Sequence, residues 1–356
     1  MKNAIYRQRR ENLKQLLSER KIPALLVSHA ANRFYLSGFE LHDAQCNESS
    51  GWLVITADGD DYLFTDPRYS DAAAQVWDPK NICVYTGDKF GTVGGFLKDH
   101  KVSNLAFEPK AFHLFDHERL IEHVSLTAID GLVEELRIIK DAEEIRLMDD
   151  AMRLNHEMFE HMATFLQPGQ TEVEVAREVE RFFRENGAEE LAFSTIVGVG
   201  PNAALPHARP GNEKVRENDL VLIDAGCRLH GYNSDQTRTF WIGDTPSDRF
   251  RETMDLVRGA QQAAIDVIKP GLEYVEAYKV ARKVFEDAGV ADLFTHGLGH
   301  GVGLETHEPP SLSRLAKGIL KPGMVVTVEP GLYDIKWGGI RWEYQVLVTE
   351  DGCRVM

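Results

Sequence analysis

The stretch HGLGHGVGLETHEPP, residues 296–310, carries His296, His300 and His307 among glycines. Glycine leaves little bulk beside an imidazole, so a ligand can approach closely. One imidazole does not make a metal site, and its partners must come from elsewhere in the chain. A helical HxxxH zinc pair at 296 and 300 is disfavoured. Gly297, Gly299 and Gly301 oppose a helix, and the glutamate of an HExxH base is missing. Acids can supply the other ligands. In LVLIDAGCRLHGYNSDQTRTF the two halves read as strands and RLHGY as the turn between them. Asp224 and Asp235 stand at equal distances from a turn centred between Leu229 and His230, so both carboxylates would project from one face of a hairpin. The plainer alternative is that Asp235 caps a turn and Asp224 ends a strand.

Two more acids interrupt apolar strands. Glu329 ends the first strand of VVTVEPGLY, with Pro330-Gly331 turning the chain behind it, and Glu343 follows Arg341 by two positions in GGIRWEYQVLVTEDG. That spacing puts Arg341 and Glu343 on one strand face. A salt bridge with Arg341 would explain Glu343 alone. Buried like-charged carboxylates are costly unless a cation joins them. Four carboxylates with one imidazole suit Mn²⁺, Co²⁺, Fe²⁺ or Zn²⁺ and argue against a structural thiolate zinc site. Four carboxylate charges balance two divalent ions. Two ions about 3.5–4 Å apart can share a hydroxide and clamp a tetrahedral transition state, which is the chemistry of acyl hydrolysis.

The elements that must position these residues follow from periodicity. ALLVS, WLVIT, YLFTD, ICVY and NLAFE read as strands, and residues 5–20 and a segment after Phe115 as helices. Residues 1–130 therefore form a compact α/β domain. A long helix is expected from Asp141, with Glu144 at capping-box spacing and an apolar stripe through Ile145, Met148, Met152, Phe159 and Met162. Pro168-Gly169 stops it. Further helices are expected from Thr171 to Gly187, from Ser247 to Lys269 and from Tyr274 to Gly289. The strand-like stretches LVLIDAG, TRTFWIG, MVVTVEPG and RWEYQVLVT lie between and after them. Residues 131–356 thus read as helices around an antiparallel β core, and the fold class is α+β.

Composition narrows the partners. The chain has 356 residues, is 43% hydrophobic and carries a formal net charge of -16. Such a charge disfavours nucleic acid and anionic membranes. The start, MKNAIYRQRRENLKQLLSERK, lacks the apolar core of a signal peptide. Cys46, Cys83, Cys227 and Cys353 lie far apart, without CxxC spacing. Reduced thiols in a cytoplasmic protein are the expectation.

The ordered motifs DAGCRLHGYNSDQTRTF, HGLGHGVGLETHE, VEPGLY and IRWEYQVLVTEDG, with GPNAALPHARPG, resemble the pita-bread metallopeptidase family of methionine aminopeptidase, prolidase, Xaa-Pro aminopeptidase and creatinase. NRFYLSGF and LFTDPRY resemble the amino-terminal domain of its proline-directed branch. The resemblance implies five ligands of a dinuclear centre: Asp224, Asp235, His300, Glu329 and Glu343, with Asp235 and Glu343 bridging. It implies Glu329 as general base and acid, and His207 and His307 as catalytic residues that contact the substrate backbone. His296 would line the site, and Arg341 would orient Glu343 beside the substrate. Mn²⁺ is the expected ion, with Co²⁺, Zn²⁺ or Fe²⁺ as alternatives. The implied activity is hydrolysis of the Xaa-Pro bond in a small peptide, by a homodimer in which residues 38–48 are a candidate closing loop. Arg68 could reach substrate, although a strand-end salt bridge is its plainer fate. Tyr344 stands where the family usually has Asp, and alternation points it away from the metals. An amidohydrolase or lyase acting on a non-peptide substrate, and a catalytically inactive binding module, are the competing readings.

Overall fold

The computed structural model describes residues 2–43 and 48–356. The chain divides into two compact units, Met1–Arg137 and Ile138–Met356. The expected break at 130 falls inside the first unit, because residues 131–137 bond back into it. Asn32 donates to Glu134 at 2.8 Å, and Arg137 donates to Asn32 Oδ1 at 2.7 Å.

The first unit holds a six-stranded sheet. Its strands are β1 (Ala24–Val27), β2 (Trp52–Thr56), β3 (Tyr62–Thr65), β4 (Ile82–Val84), β5 (Asn104–Phe107) and β6 (Ser125–Ala128), in the order β4-β3-β2-β1-β5-β6. β1 pairs antiparallel with β2 and parallel with β5, so the sheet is mixed. Helices α1 (Lys2–Glu19), α2 (Ala30–Ser37), α3 (Ser70–Val76), α4 (Lys89–Asp99), α5 (Leu114–Leu120) and α6 (Glu134–Arg137) accompany it. Leu26, Trp52, Phe64, Val93 and Leu97 form part of its buried core. β6, SLTA, is mostly exposed and was not among the expected strands.

The second unit begins with α7 (Ala142–Phe165) and α8 (Glu172–Glu185). Each starts at a reciprocal capping box, Asp141 with Glu144 and Thr171 with Glu174. Met148, Met152, Phe159 and Met162 of α7 and Val175, Val179 and Phe183 of α8 are buried, at helical spacing. α9 (Asp248–Val267) and α10 (Tyr274–Asp287) complete the helices. Short β7 (Glu190–Leu191) joins β10 (Cys227–Leu229) and β11 (Tyr232–Asn233) in one antiparallel sheet. β8 (Ile196–Val199), β9 (Asp219–Ala225) and β12 (Gln236–Ile242) form a second, with β9 central. β13 (Gly299–Gly301), β14 (Glu308–Leu312), β15 (Val325–Val328), β18 (Tyr344–Val348) and β19 (Cys353–Val355) form a third, in the order β14-β13-β15-β18-β19. β16 (Gly331–Asp334) and β17 (Gly338–Arg341) make a separate hairpin. The RWEYQVLVT stretch is therefore not one strand. Arg341 ends β17, and the chain changes sheets across Trp342 and Glu343 before β18 begins. Among the described residues no helix is long and apolar enough to cross a membrane.

Candidate metal centre

The acids converge because three strand ends and one strand meet. β9 pairs with β12 so that Thr237, not Asp235, faces Asp224. β10 and β11 continue the same ladder to a two-residue turn at His230-Gly231, both with positive φ (55° and 83°). This turn suits a hairpin. It is centred one residue later than the spacing suggested. That displacement moves the register by two, so Asp235 becomes a diagonal neighbour of Asp224 on the same face. Glu343 enters from the crossover between β17 and β18. One oxygen from each of Asp224, Asp235 and Glu343 lies within 4.8 Å of the others. Glu329 closes β15, and His300 sits on β13. His300 Nε2 is 3.4 Å from Glu329 Oε1 and 3.6 Å from Asp235 Oδ2. The five expected ligands thus face one point.

Electrostatics at that point call for cations. Burial, reinforced by the charges of Glu343, Asp224 and Glu329, holds the Asp235 carboxyl well above the usual carboxylate range. Burial and the Glu329 and Asp224 charges do the same to Glu343. Burial raises Glu329 to about 7. Buried Asp224 Oδ1 and Glu343 Oε1 have no hydrogen-bond donor among the described residues. Orphaned carboxylate oxygens in a crowd of acids are what hard divalent ions satisfy. Burial also lowers His300, which keeps it neutral and able to ligate. The residues present therefore fit a divalent metal centre.

Arg341 differs from expectation. Its Nη2 donates to Asp224 Oδ2 at 2.7 Å, and its Nε donates to Thr237 Oγ1 at 2.9 Å. The Thr237 hydroxyl in turn donates to Glu343 Oε2 at 2.8 Å. Arg341 thus orients Asp224 directly and Glu343 only through Thr237. Nη1 donates to the Tyr333 hydroxyl at 2.8 Å, and both Nη atoms reach the Pro206 carbonyl at 3.4 Å. A guanidinium has five N–H donors, and these contacts use them. Arg341 touches the cavity but has no donor left for a substrate, so the expected substrate-binding role is replaced by a supporting one. Thr237 and Tyr333 were not singled out in the sequence. Thr237 lies two residues after Asp235 on a strand, so alternation puts it on the same face. Tyr333 meets Arg341 only because β16 and β17 fold back on each other, which nothing in the local pattern reveals.

His296 is tied into the same network. Its Nδ1 donates to the Gly297 carbonyl at 2.7 Å, and its Nε2 accepts from the Tyr333 hydroxyl, 2.8 Å away. Those partners fix the tautomer, because Tyr333 already accepts from Arg341. Burial, with the Arg341 charge, lowers His296 to about 4. His307 packs against His300 with ring centroids 4.2 Å apart and the ring planes tilted by 55°, and burial lowers it to about 4. His207, His296, His300 and His307 line a cavity of about 570 Å³ with Asp224, Asp235 and Glu329. Tyr344 is turned away from the carboxylates. Its ring lies 4.6 Å from the Arg238 guanidinium, which donates to the Glu343 carbonyl at 2.6 Å. Arg68 pairs with Asp66 at 2.7 Å and Glu48 at 3.4 Å, the plainer of its two expected fates. Of the candidate loop 38–48, residues 44–47 lie outside the described residues.

Comparison with known proteins adds to this geometry. Metallopeptidase family M24 matches residues 146–350, and the creatinase/prolidase N-terminal domain matches residues 9–139. An Xaa-Pro dipeptidase of Pyrococcus furiosus is 33% identical over 348 residues, 98% of this chain and 97% of that protein. The solved Xaa-Pro dipeptidase from Bacillus anthracis superposes with a TM-score of 0.92 at 33% identity, covering 98% of this chain and 97% of its own. The X-Pro aminopeptidase from Thermotoga maritima superposes with a TM-score of 0.87 at 33% identity, covering 97% of this chain and 96% of its own. Matched along nearly its whole length by these proteins, the chain belongs to metallopeptidase family M24 and carries the creatinase/prolidase type of amino-terminal domain.

Proposed function

We propose that this protein is a metal-dependent exopeptidase that hydrolyses the Xaa-Pro bond of small peptides. The observation that carries the reading is the convergence of Asp224, Asp235, His300, Glu329 and Glu343, with two carboxylate oxygens left without donors. The proline preference is drawn from the relatives, two of which are named Xaa-Pro dipeptidases. The five residues would hold two divalent ions, Mn²⁺ first, with Co²⁺, Zn²⁺ or Fe²⁺ as alternatives. Such ions polarise the scissile carbonyl and make water nucleophilic at neutral pH.

The chain's own residues do the rest. Glu329 takes the proton of the attacking water and returns it to the proline nitrogen as the bond breaks. His307, neutral because its pKa is about 4, donates to the substrate oxygen as negative charge grows there. His207, which lines the same cavity, meets the substrate backbone. Arg341 and Thr237 keep Asp224 and Glu343 aimed at the ions. An Xaa-Pro bond has no N–H, and this arrangement needs none from it. Three described cysteines, Cys83, Cys227 and Cys353, are free thiols, which agrees with a cytoplasmic location. The family resemblance extends the reading to a homodimer.

The test is hydrolysis of Ala-Pro, Leu-Pro, Ala-Pro-Ala and Ala-Leu by chelator-treated protein with single metals restored. Cleavage restricted to proline peptides and restored by metal is the expected result. Metal binding without cleavage of any of them would shift the reading to a non-peptide amidohydrolase or lyase.

A further inference from the structure

Glu343 lies where no strand ladder holds the chain. β17 ends at Arg341 and β18 begins at Tyr344, so the peptide groups between them must find other partners. Gln261 of α9 supplies one, donating from Nε2 to the Trp342 carbonyl at 2.9 Å. β12 supplies those of Glu343. The Thr237 carbonyl accepts the Glu343 N–H at 3.2 Å, and the Thr237 hydroxyl donates to Glu343 Oε2 at 2.8 Å. Arg238 Nη1 donates to the Glu343 carbonyl at 2.6 Å and to the Thr237 carbonyl at 2.9 Å. Two consecutive residues of β12 therefore hold the N–H, the C=O and the carboxylate of Glu343.

Arg238 is itself a buried cation, 9% exposed, and among the described residues no carboxylate pairs with it. Burial lowers its pKa to about 10, so it stays protonated at neutral pH. Aromatic rings stand where a carboxylate would be expected. The guanidinium carbon lies 4.4 Å from the ring centroid of Trp342, 4.6 Å from that of Tyr344 and 5.9 Å from that of Phe159. Ring faces attract a guanidinium, most strongly where water is kept out. A guanidinium held through its faces keeps its N–H groups free to donate at the edge, and Nη1 spends both of its protons on the two carbonyls. Trp342 and Tyr344 are the chain neighbours of Glu343, so the rings that fix Arg238 and the peptide that Arg238 fixes belong to one three-residue stretch.

We propose that Arg238, clamped between Trp342 and Tyr344, is a positioning residue for the metal centre: it sets the Glu343 peptide and, through it, the direction in which the Glu343 carboxylate meets the ions. This rests on the metal-ligand reading above. Thr237 and Arg238 are adjacent in a strand and point to opposite faces. Arg341 steadies the Glu343 carboxylate through the Thr237 hydroxyl on the cavity side, and Arg238 steadies the Glu343 backbone from the other side.

The experiment titrates Mn²⁺ by calorimetry into chelated wild type, Arg238→Gln, Arg238→Lys, Tyr344→Leu and Tyr344→Phe, and records the melting temperature of each chelated protein. Arg238→Gln is expected to weaken Mn²⁺ binding about 10- to 100-fold, the usual effect of losing a group that orients a ligand. Arg238→Lys keeps the charge without the planar fork and should recover part of the loss. Tyr344 is half-buried, and Tyr344→Leu should weaken binding by about threefold or more, whereas Tyr344→Phe keeps the ring and should match wild type. In Arg238→Gln the Mn²⁺ concentration that half-activates Ala-Pro hydrolysis should rise by the same factor as the affinity falls, with KM for Ala-Pro at saturating Mn²⁺ unchanged. A lower melting temperature with wild-type Mn²⁺ affinity in Arg238→Gln and Tyr344→Leu would make Arg238 a packing residue and overturn the proposal. Should Arg238→Gln fail to fold, the Tyr344 pair decides alone. Equal losses in Tyr344→Phe and Tyr344→Leu overturn the clamp while the metal-ligand reading stands. Wild type that takes up no Mn²⁺ overturns both.

Discussion

Thr237 shows how a residue with no chemistry of its own can set a metal site. Its hydroxyl accepts from Arg341 Nε at 2.9 Å and donates to Glu343 Oε2 at 2.8 Å, so it passes the orientation of a buried guanidinium to the Glu343 carboxylate. Thr237→Val keeps the shape and removes both bonds. Metal affinity measured by titration calorimetry should fall about 10- to 100-fold with the fold intact; an unchanged affinity would remove Thr237 from the account. His307 lies beside His300 but is not among the five residues proposed to hold the ions. His307→Ala should retain its metal and lose most of its turnover, and loss of metal would mean that the histidines are ranked wrongly. At this scale the sequence was most legible for the acids. A carboxylate inside a strand pattern stands out, whereas Tyr333 looks like any apolar strand residue until the β16–β17 hairpin brings it to Arg341.

The glycines around His300 belong to the element rather than to the imidazole. A Cβ on Gly299 would lie 1.9 Å from the Thr327 carbonyl oxygen, and one on Gly301 would lie 2.2 Å from that of Pro309. β13 fits between β14 and β15 only without side chains there. The reading of these glycines as clearance for a ligand therefore missed their main work, because strand neighbours are not visible in local sequence. Gly299→Ala should destabilise the protein by about 2 kcal/mol or more in urea unfolding and weaken metal binding through His300. Wild-type stability in that variant would contradict the close approach. The hairpin was legible to within one residue. Its turn lies at His230-Gly231, and the parity of the shift preserved the shared face of Asp224 and Asp235. The change of sheets at Trp342 was not legible, since β17 and β18 form one continuous apolar pattern in the sequence.

At the scale of the molecule, the acidic centre makes stability depend on metal. Glu329 is raised from its ordinary 4.5 to about 7, and Asp235 and Glu343 are raised as well. Above about pH 6.5 the buried histidines are neutral in both states, so there the raised carboxylates make the folded metal-free state bind more protons than the unfolded chain. Its stability should fall as pH rises through about 7. Metal-stripped protein should melt lower at about pH 8 than at about pH 6.5, and added Mn²⁺ should recover the difference at the higher pH. A stripped protein that melts higher at about pH 8 would show that the carboxylates are not crowded as described. The two-unit plan was legible from the change in pattern along the chain. The first unit runs on past residue 130 to Arg137, because the α6 segment is tied to Asn32 through side chains far away in sequence.

The central claim is that five residues hold two divalent ions, and counting those ions tests it most directly. Chelated wild type and Asp235→Ala would each be titrated with Mn²⁺ while bound metal per chain and folding are recorded. Two ions in the wild type, with loss of metal from a still-folded Asp235→Ala that no longer hydrolyses Ala-Pro, is the predicted result. Full metal loading and hydrolysis in Asp235→Ala would contradict the ligand set.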